Sequence, residues 1–266
     1  MGPLAGFFGI AFAVMWVLFT TVAVAVPAGT PLGQALILAG AAAPAIAALV
    51  VTVATDGRAG VRAFLARLFL RQTSGLWYVL ALVYMPAVKL TVAVLHRVIL
   101  GVWPAFGGPP LLVIPLAIAV STPFQAGEEI GWRGYALPRL AARFGVAPAS
   151  VLLGVVWGVW HLPQFFIADV DTYGQSFAVF VLQVTAISVA MAWLFVRAGG
   201  CLLPVMVMHA AVNNTKDLVP SAVGGAHDVF GLQSSAVGWL TVAVLWMVAA
   251  CLLPAMRSMQ LSTETR

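Results

Sequence analysis

The chain has 266 residues, of which 62% are hydrophobic and only 8% charged, with a formal net charge of +5. A soluble domain carries roughly 25% charged residues, so this chain cannot cover a surface with polar groups and lipid is its solvent. The excess of positive charge does not indicate a nucleic-acid partner, because the basic residues sit in short connectors between apolar runs instead of on one patch.

About twenty apolar residues cross a bilayer core, and windows of that kind are taken here in chain order. The first, 4–26, ends in Ala23-Val24-Ala25, which mimics a signal-peptidase site, but it lacks a basic leader and is too long, so a retained anchor helix is expected. The second covers 32–54. After it, residues 61–70 set Arg62 and Arg67 among Phe64, Leu65 and Leu68, a pattern that suits either a short helix on the membrane surface or a plain loop. Spans at 77–95 and 111–125 follow, then 148–166, 177–196, a short one at 201–212, and 237–254. No fixed repeat and no Gly-, Ser- or Pro-rich linker divides the chain. The expectation is an all-α, multi-pass transmembrane helical bundle of about eight helices, forming a single membrane domain over 1–266. Cys201 and Cys251 have no metal-type spacing and read as packing residues.

Alternating sides from a cytoplasmic N-terminus puts Arg58, Arg62, Arg67, Arg71, Arg133, Arg139, Arg143, Arg197, Arg257 and Arg266 inside. Only Arg97 and Lys216 fall outside, and Lys89 lies within a span. Cytoplasmic loops carry the excess of Lys and Arg, so both termini are expected in the cytoplasm of a cell-membrane protein.

Ionisable residues at membrane depth cost roughly 2.5–3.5 kcal/mol each on insertion scales, and three segments of this chain carry them. They are Glu128-Glu129 with Arg133, Trp157 with His161, and His209 with Asn213. If the fourth helix runs on past Glu128 to Arg143, a rise of 1.5 Å per residue puts Glu128 roughly 22 Å, His161 roughly 20 Å and His209 roughly 14 Å from the cytoplasmic face. A break at Gly131, Gly134 or Pro138 would move Glu128 toward the interface.

Adjacent Glu128 and Glu129 point about 100° apart on a helix, so their roles can differ. Arg133, at i+4 from Glu129, has the spacing to pair with it and hold it ionised. Glu128, with no local cation, can take a proton from water. His161 and His209 admit two uses. With Glu128 they form the His2Glu set of a catalytic divalent metal such as zinc, the second glutamate serving as base. Alternatively, Glu128 and His161 activate water without metal, while His209 and Asn213, one turn apart, donate hydrogen bonds to an oxyanion. A lone intramembrane Glu–Arg pair or buried histidine is more often structural; the joint occurrence on three helices is what points to catalysis. Trp157 and Trp160 read as packing or cavity wall. His96, His227, Asp169, Asp171, Asp217 and Asp228 fall in connectors and read as solvated.

With these residues in place, the chain resembles the CPBP family of intramembrane proteases, which includes CAAX prenyl endopeptidases and bacterial relatives linked to bacteriocin processing and self-immunity. The family pattern EExxxR, FxxxH, HxxxN is met by Glu128, Glu129 and Arg133, by His161 four residues after Trp157, and by His209 with Asn213. Trp157 stands where the family usually has Phe, and the motif-bearing core covers approximately 111–214. The resemblance implies peptide-bond hydrolysis within the membrane, Glu128 activating water, Glu129 and Arg133 supporting it, and the histidines and Asn213 binding metal or stabilising the oxyanion. The partners it implies are the bilayer and a peptide or membrane-protein substrate. Rival readings are a proton-coupled transporter, whose usual inverted repeat is missing here, and a non-catalytic immunity or scaffold protein.

Overall fold

The computed structural model describes residues 2–69, 72–108, 110–222 and 228–259; Arg71, His227 and Arg266, considered above, lie outside them. The described residues contain helices and connecting turns and no strand. Six helices are long and apolar enough to cross a membrane: α1 (Pro3–Val24), α3 (Ala43–Phe69), α4 (Gly75–Leu100), the stretch Val146–Phe166, α9 (Phe177–Arg197) and α11 (Ala236–Met256). Their large exposed side chains are apolar, among them Val17, Val53, Leu90, Val98 and Met247, as expected of helices solvated by lipid.

All eight expected apolar segments are helical, but three of them are not single regular helices; the 148–166 segment passes from α-helix into a 3-10 stretch (Leu162–Phe166) after His161. The 32–54 segment divides at Ala42 into α2 (Pro31–Ala41) and α3. Pro44 is the cause, since it has no N–H for the carbonyl one turn earlier and its ring crowds that carbonyl. Farther on, α3 kinks at Gly57, which takes a φ of 68° open to glycine without strain. Residues 58–69 then continue as helix, with Phe64 and Leu68 buried and Arg58 and Arg62 exposed, so the described part of the 61–70 region, 61–69, is helix and not loop.

The fourth segment departs most from regularity. It runs through α5 (Ile114–Ser121), a 3-10 turn (Thr122–Gln125), α6 (Ala126–Glu129), a π-helical stretch (Ile130–Ala136) and α7 (Leu137–Phe144). The chain runs on helically past Gly131, Gly134 and Pro138, where a break would have moved Glu128, by π widening that re-registers the backbone before Pro138 enters at the first turn of α7. Gly131 is required there: a Cβ on it would lie 2.5 Å from the Pro44 carbonyl carbon and oxygen, so only glycine lets this segment touch the α3 backbone.

Helices α8 (Val146–Trp160) and α9 are the most deeply buried of the crossings and pack on each other. Gly154 makes this contact close, because its missing Cβ would sit 2.7 Å from Thr185 Cα. Helix α10 (Leu203–Thr215) packs on α4, and α11 packs on α9 and α4. Helix α1 covers the outer side, where the indole N–H of Trp160 donates to the Ala11 carbonyl at 3.0 Å and that of Trp16 donates to the Trp160 carbonyl at 3.1 Å. Cys201 is buried, as a packing residue would be, whereas Cys251 is exposed on α11.

Candidate active site

The two glutamates end α6 and diverge as the helical angle demands. The Glu129 side chain is fully buried. Its Oε1 accepts from Arg133 Nη1 at 2.7 Å and from His209 Nδ1 at 2.8 Å, so one oxygen joins the fourth segment to α10. Glu129 Oε2 and the Arg133 Nε and Nη2 atoms are buried with no hydrogen-bond partner among the described residues. The guanidinium lies instead over the Trp157 ring, 4.3 Å from its centroid, a cation–π contact in a dry site.

Glu128 faces the other way. Its side chain keeps 14% of its surface accessible and lines a cavity of about 490 Å³ between α4, α8, α9 and α10. Oε2 accepts a hydrogen bond from Trp157 Nε1 at 2.6 Å and lies 3.9 Å from His161 Nε2. His161 closes the C-terminal end of α8, and its Nδ1 is 2.7 Å from the Trp157 carbonyl oxygen. A carbonyl only accepts, so Nδ1 carries the proton and Nε2 is the free acceptor beside Glu128. His209 likewise commits Nδ1 to an acceptor, leaving Nε2 for the cavity that it lines. Asn213, exposed one turn later on α10, lines the same cavity.

The structure therefore brings Glu128, Trp157, His161, His209 and Asn213 to one cavity wall and seals Glu129 and Arg133 behind it. Trp160, packed against α1, contributes its ring to the His161 environment at 4.8 Å. His96 stays exposed, with Nδ1 2.9 Å from the Val102 carbonyl. Asp171 and Asp217 do not stand as isolated solvated residues: with Lys216, to which Asp171 is ion-paired, they form the cavity mouth. Burial opposes charging of Lys216, but the Asp171 and Asp217 carboxylates outweigh it and raise the ammonium pKa above the ordinary lysine value.

Two features escaped the sequence reading. Trp157 was read as packing or cavity wall, and it does line the cavity; its hydrogen bond to Glu128 was missed, although an indole N–H is a donor needing an acceptor once buried. Lys89 is 2% exposed and donates to the Val219 carbonyl at 3.0 Å, Ser221 Oγ at 2.7 Å and Thr241 Oγ1 at 3.3 Å. Its signal was a single cation in an apolar span.

The tentative metal set of Glu128, His161 and His209 can be tested against these positions. Among the described residues no three His, Cys, Asp or Glu side chains group closely enough to hold a metal ion. Glu129, the remaining donor, is committed to Arg133 and His209. The arrangement does not fit a three-ligand cage, so the chemistry is derived from the side chains themselves.

Fold and site together define a multi-pass helical membrane protein with a glutamate–histidine cavity inside the bundle. Residues 108–215, which hold every motif residue of that cavity, match the family described as type II CAAX prenyl endopeptidase, Rce1-like. A curated relative, CAAX prenyl protease 2 of Methanococcus maripaludis, is 28% identical over 98 residues, 35% of this chain and 36% of the relative. The matched part thus spans about a third of that relative's length. Both findings support the CPBP/CAAX protease family that the motifs resemble.

Proposed function

We propose that the chain is an intramembrane endopeptidase that hydrolyses a peptide bond in a membrane-associated peptide or protein with water activated by Glu128. One observation carries this reading: of two adjacent carboxylates, one is sealed with an arginine and the other is presented to a cavity beside an imidazole. The matches to CAAX-type proteases support it.

In this scheme a water molecule held by the Glu128 carboxylate also meets His161 Nε2, which at 3.9 Å from Oε2 is too far for a direct bond and near enough to share that water from one side. Glu128 takes a proton from that water, and the resulting hydroxide adds to the scissile carbonyl carbon. The developing oxyanion is met by the Asn213 amide and, when protonated on Nε2, by His209, which Glu129 orients through Nδ1. Collapse of the tetrahedral species breaks the C–N bond, and Glu128 returns its proton to the leaving amine, so one water is consumed per bond. No step of this scheme is routed through a metal. The N- and C-termini are cytoplasmic, as the distribution of arginines indicates.

The test is cleavage of a peptide library in detergent or nanodiscs, with prenylated CAAX peptides and unmodified membrane peptides as separate arms. Purified wild type and Glu128→Gln are compared, each shown to be folded. Glu128→Gln should lower the rate by about a hundredfold or more, and chelator treatment should leave the wild-type rate unchanged. Equal cleavage by both proteins would remove Glu128 from the chemistry and favour the carrier or scaffold reading; loss of activity on chelation that zinc restores would overturn the metal-free scheme.

A further inference from the structure

Trp157 sits one turn before His161 on α8 and is 4% exposed. It touches nearly every group of the site. The Arg133 guanidinium covers its face at 4.3 Å, His161 and His209 meet its ring at 5.6 and 5.4 Å, and its carbonyl accepts from His161 Nδ1. Its Nε1 donates to Glu128 Oε2 at 2.6 Å.

Glu128 and Glu129 differ in how they are held. Glu129 has a guanidinium and an imidazole on one oxygen. Among the described residues no cation lies within hydrogen-bonding distance of Glu128, and His161 at 3.9 Å is too far to bond directly, so the indole N–H is the donor that fixes it. A carboxylate with no donor is free to turn about its side-chain torsions. A donor on one oxygen fixes its orientation and leaves the remaining lone pairs for water. The cation on the indole face strengthens this donor, since it draws electron density from the ring that carries the N–H.

We propose that Trp157 is the positioning residue for the general base: its indole N–H holds the Glu128 carboxylate aimed into the cavity, and its ring links Glu128 to the Arg133–Glu129 pair. A phenylalanine is smaller, keeps an aromatic face for Arg133 but has no N–H, and would lose this function. The proposal rests on Glu128 being the base.

The experiment compares wild type, Trp157→Phe and Glu128→Gln in nanodiscs, using the library peptide that wild type cleaves fastest. Trp157→Phe should lower kcat about tenfold or more with KM within about twofold, the signature of a group needed in the transition state and not for uniform binding. Should Trp157→Phe fold poorly, 3-benzothienylalanine at position 157, which keeps the ring shape but replaces the N–H with sulfur, should reproduce the same split between kcat and KM. Unaltered kcat in either variant, with Glu128→Gln inactive, would overturn the proposal. Retained cleavage by Glu128→Gln would instead overturn the base assignment beneath it, so the two failures are told apart.

Discussion

Two neighbouring glutamates end up in opposite environments, and the cost of each follows from its partners. Glu129 and Arg133 are both fully buried and bonded at 2.7 Å. Removing one member of such a pair strands the other charge, which costs about 3–5 kcal/mol. Arg133→Met should therefore lower the unfolding midpoint in detergent markedly, and Glu129→Gln in the same chain should recover part of the loss in a double-mutant cycle. A simple sum of the two losses would mean that the pair is not coupled. Asn213 has no such structural burden, being exposed on the cavity wall. Asn213→Ala should leave the unfolding midpoint nearly unchanged and reduce kcat by about a hundredfold if the amide serves the oxyanion; an unaffected kcat would assign that task elsewhere.

The elements hold these residues by close approach as much as by apolar burial, as expected where lipid weakens any hydrophobic drive between helices. At Gly154 the α8 backbone reaches α9, with Thr185 Cα 2.7 Å and Ser188 Cβ 2.9 Å from an added Cβ. Gly154→Ala must push the helices apart, and a loss of about 1–3 kcal/mol is expected on thermal unfolding. No measurable loss would mean that the contact is looser than described. Lys89 acts differently, joining α4 to residues 219–221 and to Thr241 on α11 by three hydrogen bonds. Lys89→Met leaves those oxygens without this donor and should cost about 1–3 kcal/mol; a fully stable variant would show that water replaces the ammonium.

At the scale of the whole molecule, α4, α8, α9 and α10 enclose the cavity while α1 and α3 flank the fourth segment from outside. The proposed topology puts Arg58, Arg62, Arg143, Arg197 and Arg257 at the cytoplasmic end of the bundle and the Lys216–Asp171–Asp217 mouth at the other. With Cys201 and Cys251 replaced, a cysteine at Asp228 should react with a membrane-impermeant maleimide on intact cells, and one at Arg143 only after lysis. The reverse labelling would invert the proposed topology.

Much of this was legible in the chain because it is local or compositional. Low charge and long apolar runs require a helical membrane bundle, the Glu129–Arg133 spacing requires a same-face pair, and three short motifs name the polar residues that belong together. Periodicity could not reveal the split at Ala42, because it depends on Pro44 inside an otherwise unbroken apolar run. Nor could it reveal the π stretch, whose Gly131 meets a helix more than eighty residues earlier in the chain. The sealing of Glu129 and the opening of Glu128 to the cavity, the bond from Trp157 and the burial of Lys89 were decided by tertiary structure. Composition and spacing identify which groups must leave water, but only the packed helices determine which donor and acceptor each of them meets.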